Sequence, residues 1–213
     1  MDQSVLDAIQ RWPNVPAVYG WLSLSARGAW RLHPLGDAQL GGQGTGITNT
    51  QILGFIGRNY AHEPDGRWFF QNGPQRVYVR LDAAPFVLHL RPDLNALVTH
   101  NELVVEKIVQ WLTDETGQLY AQTDQGPARV DDRDLIGLAE VLKCETGQPM
   151  LEALAEIGQP GTDAADSGSV RLFDPTARYA SLRHPAPLRY ISKNDIAKTL
   201  AFVMNPGPTS TDS

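Results

Sequence analysis

Gly66-Arg67-Trp68-Phe69-Phe70-Gln71-Asn72-Gly73-Pro74-Gln75-Arg76-Val77-Tyr78-Val79-Arg80-Leu81 is the stretch that decides the fold. A glycine opens it, an aromatic run follows, Asn-Gly-Pro turns the chain, and a β-branched and aromatic alternation returns it. That is the composition of a β-hairpin. A related stretch lies further on, Gly117-Gln118-Leu119-Tyr120-Ala121-Gln122, continued by Gly126-Pro127-Ala128-Arg129-Val130. Matching the Gly-Pro of the two copies adds two residues at the tip of the second, where few contacts resist an insertion. Gly28-Ala29-Trp30 echoes the opening. The expectation is an internal repeat of two superposable hairpins, at about 62–81 and 113–130, in an α+β protein of antiparallel units with a few packed helices.

Working outward, Tyr19–Ser25 and Ala29–His33 read as a hairpin, with a helix over 3–11 before them ended by Pro13 and Pro16. Thr48-Asn49-Thr50-Gln51 carries capping spacing ahead of Ile52, Phe55 and Ile56, which predicts a helix over about 49–60. Pro85–Arg91, Ala96–Thr99, Leu103–Leu112 and Gln118–Gln122 read as further strands, the third also tolerating a helical reading. Leu135, Leu138, Ala139 and Leu142 form an apolar helical stripe opened by Asp131-Asp132. Ser192 caps a last helix lined by Ile196, Leu200 and Val203. The expected organisation is a main α+β domain over 1–157, a flexible linker over 158–169, a strand-helix segment over 170–204 docked on that domain, and a disordered tail over 205–213.

The 213 residues carry a net charge of −6, which argues against a nucleic-acid partner. The first residues lack the basic and apolar regions of a signal peptide, no apolar run reaches bilayer length, and Cys144 is the single cysteine. A cytoplasmic protein without membrane association is expected. Charge is uneven: Arg171, Arg178, Arg183, Arg189, Lys193 and Lys198 outnumber Asp174 and Asp195, so 170–204 is a basic segment.

Val77-Tyr78-Val79-Arg80-Leu81-Asp82-Ala83-Ala84-Pro85-Phe86-Val87, with Gly28-Ala29-Trp30, the helix at 50–60 and Asp65-Gly66-Arg67-Trp68, resembles an uncharacterised proteobacterial family of unknown function. There a Gly-x-Trp hairpin, a helix, an Asp-Gly turn and a strand ending Asp-Ala-Pro-Phe-Val recur. The resemblance implies repeated β motifs and a regulatory role. It supplies no catalytic residues to carry over. The extra alanine in Asp82-Ala83-Ala84-Pro85 and the long glycine loop depart from the pattern.

Motifs with chemistry are few. Gly41-Gly42-Gln43-Gly44-Thr45-Gly46 precedes a helix, yet no lysine completes a phosphate loop. His33, His62, His89, His100 and His184 have no metal-ligand spacing, and no cofactor signature occurs. No serine sits in a Gly-x-Ser-x-Gly elbow. Arg76, Tyr78 and Arg80 alternate on one strand, opposite Val77, Val79 and Leu81. They form the candidate ligand site, two guanidinium groups about 7 Å apart flanking a phenol, suited to a small carboxylate or phosphate. The competing reading is the solvated side of a half-buried sheet. Two functions stay open: a non-enzymatic ligand- or protein-binding regulatory module, or an enzyme with a site assembled around Arg76, Tyr78, Arg80 and His89.

Overall fold

The computed structural model describes residues 1–157 and 170–208; the expected linker and the residues beyond 208 lie outside them. The chain is α+β, with five helices and fifteen strands among the described residues, and it divides into two compact units. One takes Met1–Pro85 with Ala201–Ser213, the other Phe86–Leu200. The division falls inside the stretch expected to be a single domain over 1–157, in the link between the strand that ends at Leu81 and the one that begins at Phe86.

The first unit holds β1 (Val18–Leu24), β2 (Trp30–Leu32), β3 (Thr45–Gly46), β4 (Tyr60–His62), β5 (Trp68–Asn72) and β6 (Gln75–Leu81), with helices α1 (Gln3–Arg11) and α2 (Thr50–Arg58). Its sheet runs β3-β2-β1-β6-β5-β4, antiparallel throughout except that β1 lies parallel to β6. Helix α2 starts where expected, because the Asn49 side chain accepts from the Gln51 and Ile52 amides.

The second unit holds β7 (Phe86–Arg91), β8 (Ala96–Thr99), β9 (Val104–Val105), β10 (Ile108–Thr113), β11 (Leu119–Thr123), β12 (Pro127–Val130), β13 (Lys143–Cys144), β14 (Arg171–Phe173) and β15 (Ala186–Tyr190). Three helices accompany them, α3 (Leu135–Val141), α4 (Met150–Ile157) and α5 (Ile196–Thr199). The sheet order is β13-β14-β15-β10-β11-β12-β7-β8-β9. The basic segment contributes β14 and β15, and β15 pairs parallel with β10.

The two sheets share one scheme. Strands 1–6 and strands 7–12 follow the same spatial order, and each pair of neighbours has the same sense, including the single parallel pair at the centre. The turn entering the fifth strand is built twice with the same bonds. Glu63 N–H donates to Arg67 O and Gly66 N–H to Glu63 O; Asp114 N–H donates to Gln118 O and Gly117 N–H to Asp114 O. Both glycines have positive φ, 85° and 74°. Among the links between the shared strands, one differs by an α-helix. Between β3 and β4 the first unit inserts α2, whereas β9 and β10 are joined by Glu106-Lys107 alone.

Both expected hairpins form, in a register that corrects the sequence match. Asn72 pairs with Gln75, so Gly73-Pro74 is the first tip. In the second, Thr123 and Gly126 bond each other and Gln122 pairs with Pro127, so the tip is Asp124-Gln125 and Pro127 opens the strand. The structural offset is 51 residues on both sides, with no insertion; the Gly-Pro motifs occupy non-equivalent places.

Two further expectations change. Leu103–Leu112 is not one strand, because the Asp124 carboxylate accepts from both the Glu106 and Lys107 amides and bends the chain between β9 and β10. The last helix stops at Thr199 rather than running on to Val203. Ala201 takes φ 54°, Val203 N–H donates to Gly66 O, and Leu81 N–H donates to Met204 O. Residues 205–208 continue along the first unit: the Asn205 amide donates to Gln39 O, the Gln39 amide donates to Pro206 O, and Pro206 is buried.

Candidate functional site

Two cavities of the first unit are lined by described residues. One, of about 500 Å³, lies between the sheet and α2 and is lined by eleven residues. Strands β1, β2, β5 and β6 send Val18, Trp21, Leu22, Leu32, Phe70 and Val77 to it, and α2 sends Ile52 and Ile56. The helix is anchored by Phe55 edge-on against Phe70, ring centroids 5.5 Å apart, and by Arg58, whose guanidinium bonds the Asp2 carboxylate at 3.0 Å. Trp21, Leu32 and Ile52 are 45–49% exposed although each faces this cavity. Large apolar side chains that a fold could bury, left open around one concavity, are a ligand-site signature. Asn72 and Gln75, the pair closing the β5–β6 hairpin, place two carboxamides at its edge.

The second cavity, about 560 Å³, is lined by Arg76, Tyr78, Gln71, Pro74, Ile9 and the 13–17 segment. It therefore brings together two of the three candidate site residues. Arg76 Nη1 meets Glu63 Oε1 at 2.5 Å, and its guanidinium lies 5.1 Å from the Phe69 ring centroid. Tyr78 is buried rather than solvated. Its ring stacks on Tyr19 at 4.6 Å, and the Arg67 guanidinium sits 4.7 Å from its centroid. Arg67 is in turn bound by Glu63 and Asp65. Arg80 lies outside the cavity lining: it donates to Ala38 O at 2.8 Å and pairs with Asp82 at 2.8 Å. The face is neither a plain solvated sheet side nor a pair of matched arginines.

Sequence reading missed a third cluster. Ser23 Oγ lies 2.8 Å from His33 Nε2, and His33 Nδ1 lies 3.2 Å from Asp37 Oδ1. The connectivity is that of a serine–histidine–carboxylate triad. Ser23 and His33 are nonetheless fully buried, so no substrate carbonyl reaches Oγ. The glycine loop lies over the imidazole: a Cβ at Gly44 would stand 2.7 Å from the ring. The cluster ties the 33–37 turn to β1, and the Gly44 backbone packs against the imidazole. Strand pairing creates it, so spacing in the sequence gave no signal.

In the second unit His89 Nδ1 meets Asp134 Oδ2 at 3.0 Å, and Asp131, bonded by Arg133, has its carboxyl lowered to about 2. His62 Nδ1 lies 3.0 Å from Glu63 O, and burial raises the Cys144 thiol. A shallow apolar groove between α3 and α4 exposes Ile136 and Leu151. Among the described residues no three His, Cys, Asp or Glu side chains are grouped to hold a metal, and no helix is long and apolar enough to cross a membrane.

A family model described as a protein of unknown function, DUF2944 (DUF2946), matches residues 1–207. No curated protein matches. Among solved structures, a DUF1285 family protein from Silicibacter pomeroyi DSS-3 is 19% identical over 61% of this chain and 72% of that one, with a TM-score of 0.44. A DUF1285 family protein from Shewanella baltica OS155 is 17% identical over 60% and 93%, with a TM-score of 0.39.

Proposed function

We propose, from the premise that the chain belongs to the DUF2944 family of unknown function, that it is a non-enzymatic module binding a small apolar ligand between the first sheet and α2. The observation that carries this reading is the helix itself. The two units share one strand scheme, and the link between the third and fourth strands carries an α-helix, α2, in the first unit only. That added element roofs the cavity with Ile52 and Ile56. A cavity of about 500 Å³ falls within the range of small-molecule sites. Both histidine–carboxylate pairs, His33–Asp37 and His89–Asp134, lie outside the linings of the two cavities, which favours binding over catalysis.

Occupancy would hold α2 against the sheet, and that coupling is the regulatory device we attach to the module. A buried, single thiol suits a reducing compartment such as a bacterial cytoplasm. Trp21 is the tryptophan of the lining, so its emission reports occupancy. Titration with apolar small molecules should shift that emission in the natural chain and not in Ile52→Trp corrected for its added fluorophore, or in Trp21→Phe. An unchanged emission and melting temperature across the panel would refute the reading.

A second reading rests on Arg76 and Tyr78 lining the other cavity. A carboxylate or phosphate there would compete with Glu63 for Arg76. Calorimetry of Arg76→Ala against phosphates and carboxylates tests it; equal binding by both forms removes Arg76 from the site.

A further inference from the structure

We infer that the ligand of the α2 cavity is an uncharged amphiphile, an apolar body ending in one hydrogen-bonding group that carries no charge; this rests on the cavity being the binding site. Nine of the eleven lining residues are apolar, and the other two are Asn72 and Gln75. No ionisable side chain is among them. An ionised head at this cavity would meet no counter-charge among the lining residues and would gain no charge-assisted hydrogen bond from them.

The two polar residues are placed for a different partner. Asn72 and Gln75 pair across the β5–β6 turn, so both side chains leave the same face of the hairpin, and both line the cavity. A carboxamide both donates and accepts and is neutral. Gln75 Nε2 reaches Pro16 O at 3.3 Å, which orients that amide. A hydroxyl or neutral amide head matches such a pair, giving and taking one hydrogen bond.

The usual competitor for an anion is also spent. Helix α2 presents its N-terminus beside the cavity, and a free helix N-terminus attracts carboxylates. Here the Asn49 side chain accepts from the Gln51 and Ile52 amides at 2.9 and 3.1 Å. The nearest guanidinium on the helix, Arg58, is bound to Asp2 by three hydrogen bonds of 3.0–3.3 Å. Two first-turn amides and the Arg58 guanidinium are thus already engaged.

The body of the ligand is bounded too. A sheet forms one wall and a helix of nine residues the other, with Trp21 and Phe70 offering flat faces. About 500 Å³ equals the liquid volume of roughly seventeen waters, enough for a medium-length chain or a pair of fused rings and not for a long lipid.

The test uses the full chain and the neutral probe N-phenyl-1-naphthylamine, which fluoresces when it leaves water. The probe should bind the natural protein and bind Ile52→Trp or Leu32→Trp at least tenfold more weakly, with circular dichroism establishing that each variant is folded. Displacement then compares 1-octanol with octanoate at pH 8, below their aggregation limits. Octanol should displace the probe at a concentration at least tenfold lower than octanoate, and Asn72→Leu should narrow that ratio. Octanoate displacing as well as octanol overturns the uncharged class and leaves the cavity standing. A probe that does not bind the natural chain, or binds both filled variants unchanged, overturns the cavity as the binding site.

Discussion

Gly66→Ala and Gly117→Ala form a matched pair that isolates one interaction. Both glycines occupy the same turn position with the same bonds and similar φ, 85° and 74°. A Cβ in this left-handed region costs about 1–2 kcal/mol wherever it is placed. At Gly117 nothing lies within 4 Å of the added atom, so that cost stands alone. At Gly66 the Cβ would stand 2.5 Å from Ala201 O and 3.0 Å from Phe202 Cα. Both are backbone atoms, so the 201–206 segment must move. Moving it breaks the Val203-to-Gly66 and Leu81-to-Met204 hydrogen bonds, each worth about 0.5–1.5 kcal/mol, and loosens the buried Phe202. Gly66→Ala should therefore cost about 2–5 kcal/mol against about 1–2 kcal/mol for Gly117→Ala. Urea unfolding gives both numbers, and limited proteolysis should cut Gly66→Ala within 201–206. Equal losses, with 201–206 still protected, would refute the docking of this segment on the turn.

Three further outcomes are expected. Leu138→Ala removes a fully buried side chain of α3 and should cost about 2–5 kcal/mol by urea unfolding. Glu102 occupies, at φ 65°, the turn position that Gly66 and Gly117 hold elsewhere, so Glu102→Gly should raise stability by about 1 kcal/mol in the same assay. Burial lowers the His100 imidazole from 6.5 to about 3; its Nε2 is shielded from solvent and its Nδ1 accepts from Val87 N–H. The unfolded chain then binds the extra proton first, so this contribution is complete above about pH 6.5 and falls as the pH drops toward 3. Unfolding at pH 7 and 5 should differ by about 1–2 kcal/mol more in the natural chain than in His100→Phe.

The hairpins were legible because their signals are local. A positive-φ glycine before an aromatic strand marks the β4–β5 turn within a few residues, and Asn49 marks the start of α2 in the same way. The central parallel pair β1–β6 was not legible: Leu22 meets Val79, and nothing in either strand names a partner so distant. Both cavities share that difficulty, since the walls of each come from stretches far apart in sequence, the second from 9–17 and 71–78. Strand alternation placed Arg76, Tyr78 and Arg80 in a row, but alternation sets only direction. Glu63, Arg67 and Asp82 decide what each side chain meets, and they sort Arg80 away from the other two. The Gly-Pro motifs misled for a related reason. A turn residue tolerates several positions near a tip, whereas the strand register fixes the offset at 51.

The docking of 201–206 on the first unit has a consequence for synthesis. Met1–Pro85 leaves the ribosome before the 115 residues of Phe86–Leu200, and the segment that satisfies Gly66 O, Leu81 N and Gln39 follows only after them. At about 5–20 residues per second, the first sheet waits roughly 6–23 seconds with that edge uncovered. The second unit is contiguous in the chain and completes itself as it emerges. The older part of the nascent polypeptide is thus finished by its younger part, and a chaperone that shields exposed backbone would have its longest opportunity at Gly66 and Leu81.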